Sequence, residues 1–560
     1  MNNFRGINKF SQNLFDKDSI YFVGRGDTGK STILDAISLV FSPNSYLHFY
    51  DSDFYNSNTN DPIEIEVSIV DFPQKLITEF KYFSHLRVMD KNTGNIYDDI
   101  EVIQDIPDDF EKVLTIKFEV NKDLEAKWYV ISDRHEPVQM SPRDRGSLNV
   151  YKISDYIDRH FYWSKGSPLY SLLLDDEGAE DVVKENIIVD VVRQVKQKID
   201  ECPFESFQNV TAKIKTQVSN YGIKIDDVKT SIDFKDISIK EGQVCLHDKN
   251  IPFRLKGKGS KRLISIAIQA ALAQKSGIIL VDEIEQGLEP DRVKQLIRTI
   301  KAAGHGQMFV TTHSVEAITE IDCCELGVLK NDKGSVSVNY PDKELQGVVR
   351  ACPQAFFSNK IIVCEGNTEV GLCRALDINR KANDKEYMAF LGCVYICGMG
   401  DNFPNYALKL KSLGFNTAIL CDSDKDYLSH SKKELADNGI EIYDCDKEKS
   451  IENQLFCDLL WKAVAELIKY REETDGHTKN AIAQAVKSKY GAKFPDQWLE
   501  DDTLRMRTAI SEASVVKGKE WFKRIDHGEF LGKKIFEYKA EMLEKRIVRM
   551  MDDLSKWIDE

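Results

Sequence analysis

A glycine-rich segment near the start of the chain has the residue types that hold a nucleoside triphosphate. Residues 24–31 fit the pattern G-x-x-x-x-G-K-[ST], between an apolar run at 20–23 and a mostly apolar run at 33–37; the predicted context is therefore strand, loop and helix. In such a loop, backbone N–H groups surround phosphate oxygens, the lysine contacts the outer phosphates and the serine can hold Mg²⁺. The predicted ATP-binding residues are Gly24, Gly26, Asp27, Thr28, Gly29, Lys30, Ser31 and Thr32.

Two later segments could serve the same nucleotide. The apolar run 278–281 ends in Asp282 and Glu283. This pattern predicts a buried parallel strand. Asp282 is predicted to bind Mg²⁺ through a water molecule, and Glu283 to polarise the attacking water. A second apolar run, 308–310, ends in Thr-Thr-His-Ser. A lone histidine is more often structural, but its place after a strand makes His313 a candidate γ-phosphate sensor.

A Gly-Lys-Gly-Ser segment at 257–260 precedes an apolar helix predicted over 263–272. Free N–H groups and a hydroxyl at the start of a helix can contact an anion. Such a segment is weak evidence alone, and it gains weight from the Asp-Glu strand that follows about one helix later. Ser260 is therefore a candidate nucleotide contact.

A second group of carboxylates follows two further apolar strands. Residues 360–364 lead into Glu365, and residues 417–421 lead into Asp422-Ser423-Asp424. Open α/β sheets place their sites at the carboxyl ends of strands. In an extended chain, side chains two residues apart point the same way, so both aspartates could reach one cation. Because Mg²⁺ prefers oxygen ligands, this pattern predicts a divalent metal site.

Length and charge bound the elements that position these residues. A chain of 560 residues exceeds the roughly 250–300 residues at which one core stops growing, so two or three domains are expected. The net charge of −15 argues against nucleic-acid binding over the whole surface, although it does not exclude a local basic groove. No secretory or membrane segment is apparent, and the twelve cysteines show no zinc spacing. We therefore expect a cytoplasmic protein with reduced thiols.

The periodicity between the motifs predicts two further regions. Residues 63–70 and 113–120 alternate with period two, which is typical of an antiparallel sheet beside a nucleotide core. Residues 150–240 have apolar positions at helical spacing. This helical insertion could be a dimerisation region or a plain helical subdomain. Asp51 and Asp53 follow the first helix, where a solvated turn is favoured over a metal site.

The order of the first motifs resembles that of ABC-type ATPase heads in the SMC/RecF-like branch. Phosphate loop, Gly-Ser signature, Asp-Glu strand and Thr-His-Ser strand follow one another, and a Phe-Arg-Gly turn at 4–6 precedes them. In that family the signature of one head completes the nucleotide site of another. The resemblance implies self-association of two heads over ATP, as a dimer or a higher homo-oligomer.

The later motifs resemble the Toprim domain of topoisomerases, primases and OLD-family nucleases. The resemblance implies that Glu365, Asp422 and Asp424 hold one or two Mg²⁺ or Mn²⁺ around a scissile phosphodiester. It also implies two further metal ligands, Glu369 and Glu452. The structural alternative is that Glu369 is a carboxylate at a helix N-terminus and Glu452 a solvated carboxylate. In the basic segment 515–550, the lysine that balances charge at the cleaved phosphate would be Lys523, with neighbouring Lys517 and Lys519 as alternatives.

An ABC-type head followed by a Toprim module resembles the OLD family over nearly the whole chain. The predicted fold class is α/β, with an ATPase domain at 1–345, its helical insertion at about 150–240, and a Toprim domain at 346–560. The resemblance implies an ATP-regulated, metal-dependent DNA endonuclease in anti-phage defence, with a helicase subunit or a retron reverse transcriptase and its msDNA as possible partners. The alternative is a RecF-like DNA-repair or DNA-sensing ATPase in which the Toprim module only binds. Signatures of a topoisomerase or a primase are missing.

Overall fold

The computed structural model describes most of the chain outside the segment between residues 153 and 245. The described residues are 1–15, 17–78, 81–98, 106–153, 160–161, 167–169, 172, 194, 197–198, 245–272, 277–302, 306–424, 428–474 and 478–560. Most of the predicted insertion at 150–240 lies outside them. The helical insertion at about 150–240 therefore stays a prediction, and at its approximate start Val150–Ile153 form a strand. They pair in parallel with the Asp-Glu strand, and such long-range pairing overrides local periodicity.

One large mixed sheet carries the phosphate loop, and its described part has 14 strands. They are β1 (Asn2–Phe4), β2 (Ile7–Phe10), β3 (Ser19–Val23), β4 (Ile63–Ile69), β5 (Arg87–Asp90), β6 (Ile96–Tyr97), β7 (Phe110–Val120), β8 (Ala126–Ile131), β9 (Val138–Gln139), β10 (Val150–Ile153), β13 (Ile278–Val281), β14 (Gln307–Thr311), β15 (Leu326–Asp332) and β16 (Ser335–Asn339). A separate hairpin joins β11 (His247–Asp248) to β12 (Ile251–Pro252).

The large sheet has a parallel half and an antiparallel half. The order β10-β13-β14-β3-β15 is parallel throughout. Strand β3 lies inside it and is buried along its whole length, as expected for an apolar strand covered on both faces. Strands β4 and β7 pair antiparallel, so the antiparallel sheet predicted from their alternation is confirmed.

The second sheet has four parallel strands in the order β18-β17-β19-β20. The central strands β17 (Lys360–Cys364) and β19 (Asn416–Cys421) are almost entirely buried, and the outer ones are β18 (Cys393–Cys397) and β20 (Glu441–Asp444). Apolar runs of this kind need helices on both faces of the sheet. The Toprim-like α/β arrangement predicted from the sequence is therefore present.

Helices cover both sheets. In the described residues they are α1 (Lys30–Val40), α2 (Lys75–Thr78), α3 (Pro142–Gly146), α4 (Lys258–Leu272), α5 (Pro290–Ala302), α6 (Val315–Glu320), α7 (Gln346–Ala351), α8 (Asn367–Ala382), α9 (Phe403–Ser412), α10 (Leu428–Asp437), α11 (Ile451–Asp458), α12 (Trp461–Thr474), α13 (Lys479–Tyr490), α14 (Leu504–Ser514), α15 (Ile525–Glu537) and α16 (Arg546–Asp559). None of them is long and apolar enough to cross a bilayer.

The two sheets share one apolar core. A single cluster of contacting buried side chains includes Val23 and Val310 from the first sheet and Val363 and Ile419 from the second. Phe356 belongs to the same cluster. The predicted boundary between residues 345 and 346 falls at the start of α7, and it stays a prediction. The packing nevertheless shows that the chain passes from one sheet to the other through a buried segment.

Close packing of α8 against α15 makes Gly371 sensitive to substitution. A Cβ at this position would overlap the carbonyl oxygen of Ile525 and the Cα of Gly528, whereas a Cβ at Gly347 in α7 would meet nothing within 4 Å. We expect Gly371→Ala to lower the free energy of unfolding by about 1–3 kcal/mol. The matched control Gly347→Ala should be neutral or stabilise by up to about 1 kcal/mol. Denaturant unfolding followed by tryptophan fluorescence measures both, and equal effects would contradict the packing described here.

Candidate functional site

The phosphate loop joins β3 to α1, and its lysine lies across the loop. Lys30 is buried, and its Nζ donates to the carbonyl oxygens of Gly24 at 3.0 Å and Arg25 at 2.8 Å. Burial lowers the pKa of Lys30 to about 8, although nearby Asp27 and Asp282 act in the opposite direction. The remaining predicted residues lie in the loop and the first turn of α1: Gly26, Thr28, Gly29, Ser31 and Thr32.

Ser31 and Asp282 meet as the sequence predicted. The Ser31 hydroxyl donates to Asp282 Oδ1 at 2.8 Å. The Thr311 hydroxyl donates to the same oxygen at 2.6 Å and accepts from the Glu283 N–H at 2.7 Å. A serine hydroxyl and an aspartate at this place could hold the Mg²⁺ of a bound nucleotide. Sequence reasoning missed Thr311, for which the available signal was its place at the end of a strand beside the Asp-Glu strand.

A second acid fixes the loop that carries the candidate sensor. Glu285 accepts a hydrogen bond from the Thr312 hydroxyl at 2.7 Å and another from the His313 N–H at 2.6 Å. Its neighbour Glu283 is exposed and has a φ of +48°, a left-handed conformation that is uncommon for residues other than glycine. Sequence reasoning missed Glu285, although the pattern Asp-Glu-Ile-Glu contained the signal.

His313 is exposed and faces charges of both signs. Burial of part of the ring and the nearby Lys30 lower the pKa of His313, and Glu285 and Glu283 oppose this effect. The ring stacks on Phe357, with ring centroids 6.0 Å apart and planes at 25°. His313 therefore lies beside the phosphate loop, where a sensor of the γ-phosphate is needed. Its role as that sensor stays a prediction.

The Gly-Ser signature begins helix α4 and packs on the loop after β13. Gly259 lies against Gly287. Arg262 is buried and donates to the carbonyl oxygens of Asp282 and Glu283. These bonds fix the signature helix to the Asp-Glu strand of its own domain. Ser260 lies in the first turn of this helix, and its contact with a nucleotide stays a prediction.

The second candidate site lies at the carboxyl edge of the smaller sheet. Glu365 follows β17, and Asp422 follows the neighbouring parallel strand β19. Both side chains are buried. The Asp422 N–H donates to Glu365 Oε2 at 3.1 Å, and the Ile451 N–H donates to Asp422 Oδ1 at 2.7 Å. Two of the three acids first predicted at this edge are therefore in direct contact.

Glu369 and Glu452 join this buried group. Glu369 lies in the first turn of α8 and accepts from the Gly366 N–H at 2.8 Å. Glu452 lies in the first turn of α11 with 1% of its surface exposed. Its carboxylate makes no hydrogen bond within the described residues, and its Oε1 lies 3.2 Å from the Lys523 Nζ in an ion pair. The structure therefore brings together both further acids and the lysine that the family resemblance implied.

Asp424 is not part of the buried group. Strand β19 ends at Cys421, so the chain from Asp422 onward is no longer extended. Ser423 donates its N–H to the Lys449 carbonyl and accepts from the Glu448 N–H, each at 2.9 Å. Because the chain bends here, side chains two residues apart need not point the same way, and Asp424 is exposed.

Burial and like charge dominate the electrostatics of this group. Burial raises the pKa of Asp422 to about 9, with a further contribution from the neighbouring Glu369 and Glu452 carboxylates. Burial likewise raises the pKa of Glu369. Burial disfavours the charged form of Lys523, but the three carboxylates outweigh it and raise its pKa. The surroundings therefore disfavour negative charge on Asp422 and Glu369 and favour positive charge on Lys523.

The donor set fits a divalent cation, although its oxygens do not yet converge. No three His, Cys, Asp or Glu side chains stand as ligands of one metal ion within the described ranges. The reason is visible in Asp422, Glu365 and Glu369, each of which accepts from a backbone N–H. A buried charge needs a partner, and for Glu452 that partner is the Lys523 ammonium in the ion pair at its Oε1. Carboxylate oxygen is what Mg²⁺ and Mn²⁺ prefer, so these four acids could hold such a cation.

Two known protein families match the chain in this order. The family described as "AAA domain, putative AbiEii toxin, Type IV TA system" matches residues 21–319, which is more than half of the chain. The family described as "Overcoming lysogenization defect protein-like, TOPRIM domain" matches residues 356–424. The chain belongs to the first of these families, and its ATPase domain followed by an OLD-like Toprim domain matches the arrangement of the OLD family. The Toprim match includes Glu365, Glu369 and Asp422, and it ends before Glu452 and Lys523.

Several solved structures are distantly similar to this chain. An SMC head bound to the C-winged helix domain of ScpA is 16% identical with a TM-score of 0.35, covering 62% of this chain and 97% of that one. The SMC head domain from Thermotoga maritima is 14% identical with a TM-score of 0.27, covering 61% and 97%. The recombination mediator RecF is 16% identical with a TM-score of 0.30, covering 60% and 96%. No curated protein matches the chain.

Glu285 should control the nucleotide site through the loop that carries His313. Glu285→Ala removes both hydrogen bonds to Thr312 and His313. Since a lost bond to a charged group costs about 1.5–3 kcal/mol, we expect ATP hydrolysis to fall by roughly tenfold or more in kcat with a smaller change in KM. Glu289→Ala is the matched control, because the Glu289 carboxylate forms an ion pair with Arg292 at the surface. Equal activity of the two variants would show that Glu285 does not position this loop.

Proposed function

We propose that the chain is a metal-dependent DNA endonuclease whose cutting is set by the nucleotide state of its ATPase domain. One observation carries the proposal: four carboxylates, Glu365, Glu369, Asp422 and Glu452, are buried together beside Lys523 at a sheet edge. Burying like charges together does not stabilise a protein unless an opposite charge, such as a bound cation, offsets them. Groups of this kind are therefore candidates for a site that cleaves phosphodiesters. We further propose that the enzyme acts in anti-phage defence in the cytoplasm of a prokaryote.

The residues of the Toprim site have distinct parts in this reaction. When bound, one or two Mg²⁺ or Mn²⁺ ions supply stabilisation of the attacking and leaving oxygens of an in-line displacement. Four acids would hold these ions: Glu365, Glu369, Asp422 and Glu452. Lys523 carries a positive charge toward the same place, so it can orient the scissile phosphate and offset its charge. The exposed Asp424 could contribute only after the bend at Ser423 rearranges.

The ATPase domain would act as one half of a nucleotide clamp. Ser31 and Asp282 would hold the Mg²⁺ that accompanies ATP, and Glu283 would polarise the attacking water. In a pair of heads, Ser260 of each chain would face the nucleotide of the other. We propose that this closure is how ATP governs access of DNA to the Toprim site. A helicase subunit or a retron reverse transcriptase with its msDNA would be a partner of the assembled oligomer.

One observation favours a second function, a DNA-binding ATPase of the RecF kind that does not cut. Three of the four buried acids accept backbone N–H groups instead of converging on one point. In that reading the Toprim module is a binding platform. The concentration of carboxylates argues against it, because such a platform would repel the phosphate backbone that it has to bind.

Loss of the buried acids should abolish cutting without disturbing the ATPase. We expect Asp422→Asn and Glu452→Gln each to reduce nicking of a supercoiled plasmid in Mg²⁺ or Mn²⁺ by more than about 100-fold. The control Glu434→Gln changes an exposed acid on α10 and should leave nicking unchanged. Chelation by EDTA should stop the reaction. Cutting by Asp422→Asn at the rate of the parent would refute the site, and ATP hydrolysis without any cutting by the parent would favour the second function.

Substitution of three neighbouring lysines tests which of them offsets the charge of the scissile phosphate. Lys523 pairs with Glu452 at the site, whereas Lys517 and Lys519 are exposed on the preceding loop. Lys523→Ala should therefore lower the single-turnover cutting rate by roughly tenfold or more. Lys517→Ala and Lys519→Ala should weaken DNA binding slightly and make it less dependent on salt. A larger loss of cutting rate in either of these two variants would move the role away from Lys523.

A further inference from the structure

Both loops that surround the candidate nucleotide site touch the Toprim domain. In the phosphate loop, the Arg25 Nη2 donates to the Phe390 carbonyl oxygen at 2.9 Å. In the loop after β14, the His313 ring stacks on Phe357 at 6.0 Å. These contacts join residues that are far apart in sequence, and neither uses an acid of the Toprim site. They show that the two candidate sites are connected through structure and not only through the chain.

Arg25 holds a turn that is itself bonded to the start of β17. Its guanidinium lies over Gly392, which has a φ of +69° and where a Cβ would overlap Nη1. Only a glycine fits both the left-handed backbone and this close approach. The Gly392 carbonyl accepts from the Asn359 N–H at 2.8 Å and the Lys360 N–H at 3.0 Å. The turn that Arg25 contacts is therefore hydrogen-bonded to Lys360, the first residue of β17.

The second contact reaches the same place. Phe357 packs on the core shared by the two sheets and lies three residues before Lys360, the first residue of β17. A third contact comes from Lys330 on β15, the strand beside β3. Its Nζ donates to the Ser358 carbonyl at 3.3 Å and lies 3.5 Å from the centroid of the Phe415 ring. Contacts from the ATPase domain thus converge on the segment 357–360.

Strand β17 connects this segment to the carboxylates. It runs from Lys360 to Cys364 and Glu365 follows directly. Five residues of parallel strand span about 17 Å. The strand is buried between β18 and β19, with hydrogen bonds to both. Since close-packed interiors transmit displacement rather than absorb it, a movement at 357–360 reaches Glu365.

We propose that Arg25 and Phe357 are positioning residues that couple the nucleotide site to the Toprim carboxylates through β17. The Toprim domain contacts the phosphate loop and the loop that carries His313. Nucleotide binding at those loops changes the position of β17, the strand that leads into Glu365. By thermodynamic linkage, the coupling acts in both directions. The consequence for DNA cutting rests on the nuclease function proposed above, whereas the coupling itself does not.

The experiment compares Arg25→Ala and Phe357→Ala with Phe390→Ala. The last is a matched control, because the Phe390 ring is 70% exposed and its contact with Arg25 uses the backbone carbonyl that alanine retains. Hydrogen exchange of residues 357–366 is measured with and without MgATP, together with kcat and KM of ATP hydrolysis. We expect MgATP to slow exchange in the parent and in Phe390→Ala. We expect that protection to disappear in Arg25→Ala and Phe357→Ala, with kcat/KM lower by roughly five- to tenfold.

Two conservative variants separate positioning from loss of fold. Phe357→Leu keeps the bulk and Arg25→Lys keeps the charge, so partial recovery of the MgATP protection is expected in both. The proposal is overturned if both alanine variants retain the protection, or if Phe390→Ala loses as much as Arg25→Ala. Plasmid nicking distinguishes the two proposals. Protection without nicking in the parent would refute the nuclease and support the coupling, whereas nicking without any protection would do the reverse.

Discussion

Mutual repulsion among four buried carboxylates is the constraint that the Toprim half of the chain has to satisfy. Each acid receives a positive group from its surroundings. Asp422 accepts from the Ile451 N–H, which belongs to the first turn of α11, and Glu369 lies in the first turn of α8. Exposed N–H groups at a helix N-terminus carry partial positive charge, so two helix starts oppose the repulsion. Lys523 supplies the remaining offset through Glu452.

The nucleotide site is built in the same way, but its buried charged group is a lysine and the groups around it are negative. Its lysine is buried among carbonyl oxygens, and acids lie near it in the phosphate loop and after β13. In both sites parallel strands end at one edge, a helix begins there, and short loops carry the chemistry. Under the proposed function, the first edge binds phosphate oxygens and the second binds cations that meet a phosphodiester. The chain would then bind a nucleotide in one domain and act on a polynucleotide in the other.

Local pattern was sufficient to predict the parts of this structure that depend on neighbouring residues. The phosphate loop, the Asp-Glu strand and the alternating strands β4 and β7 were predicted because glycine spacing and periodicity are local properties. Contacts between distant segments were not predictable in this way. The strand at Val150–Ile153 depends on pairing with β13, and the role of Thr311 depends on a neighbour 29 residues away in sequence. Asp424 was misplaced because nothing local indicates that the chain bends at Ser423. Lys523 could be found only through a family resemblance.

The shared core limits how the two domains can influence each other. Domains joined by an exposed linker move as separate bodies, and their motion exposes little apolar surface. Here Val23, Phe356 and Val363 belong to one packed cluster, so wide separation of the sheets would expose core residues at about 25 cal/mol for each Å² of apolar surface. A nucleotide can favour the opened state only by the difference between its binding free energies for the opened and the closed states. Small displacements along packed strands are therefore favoured over domain opening, and β17 is a strand with such contacts at one end and an acid of the site at the other.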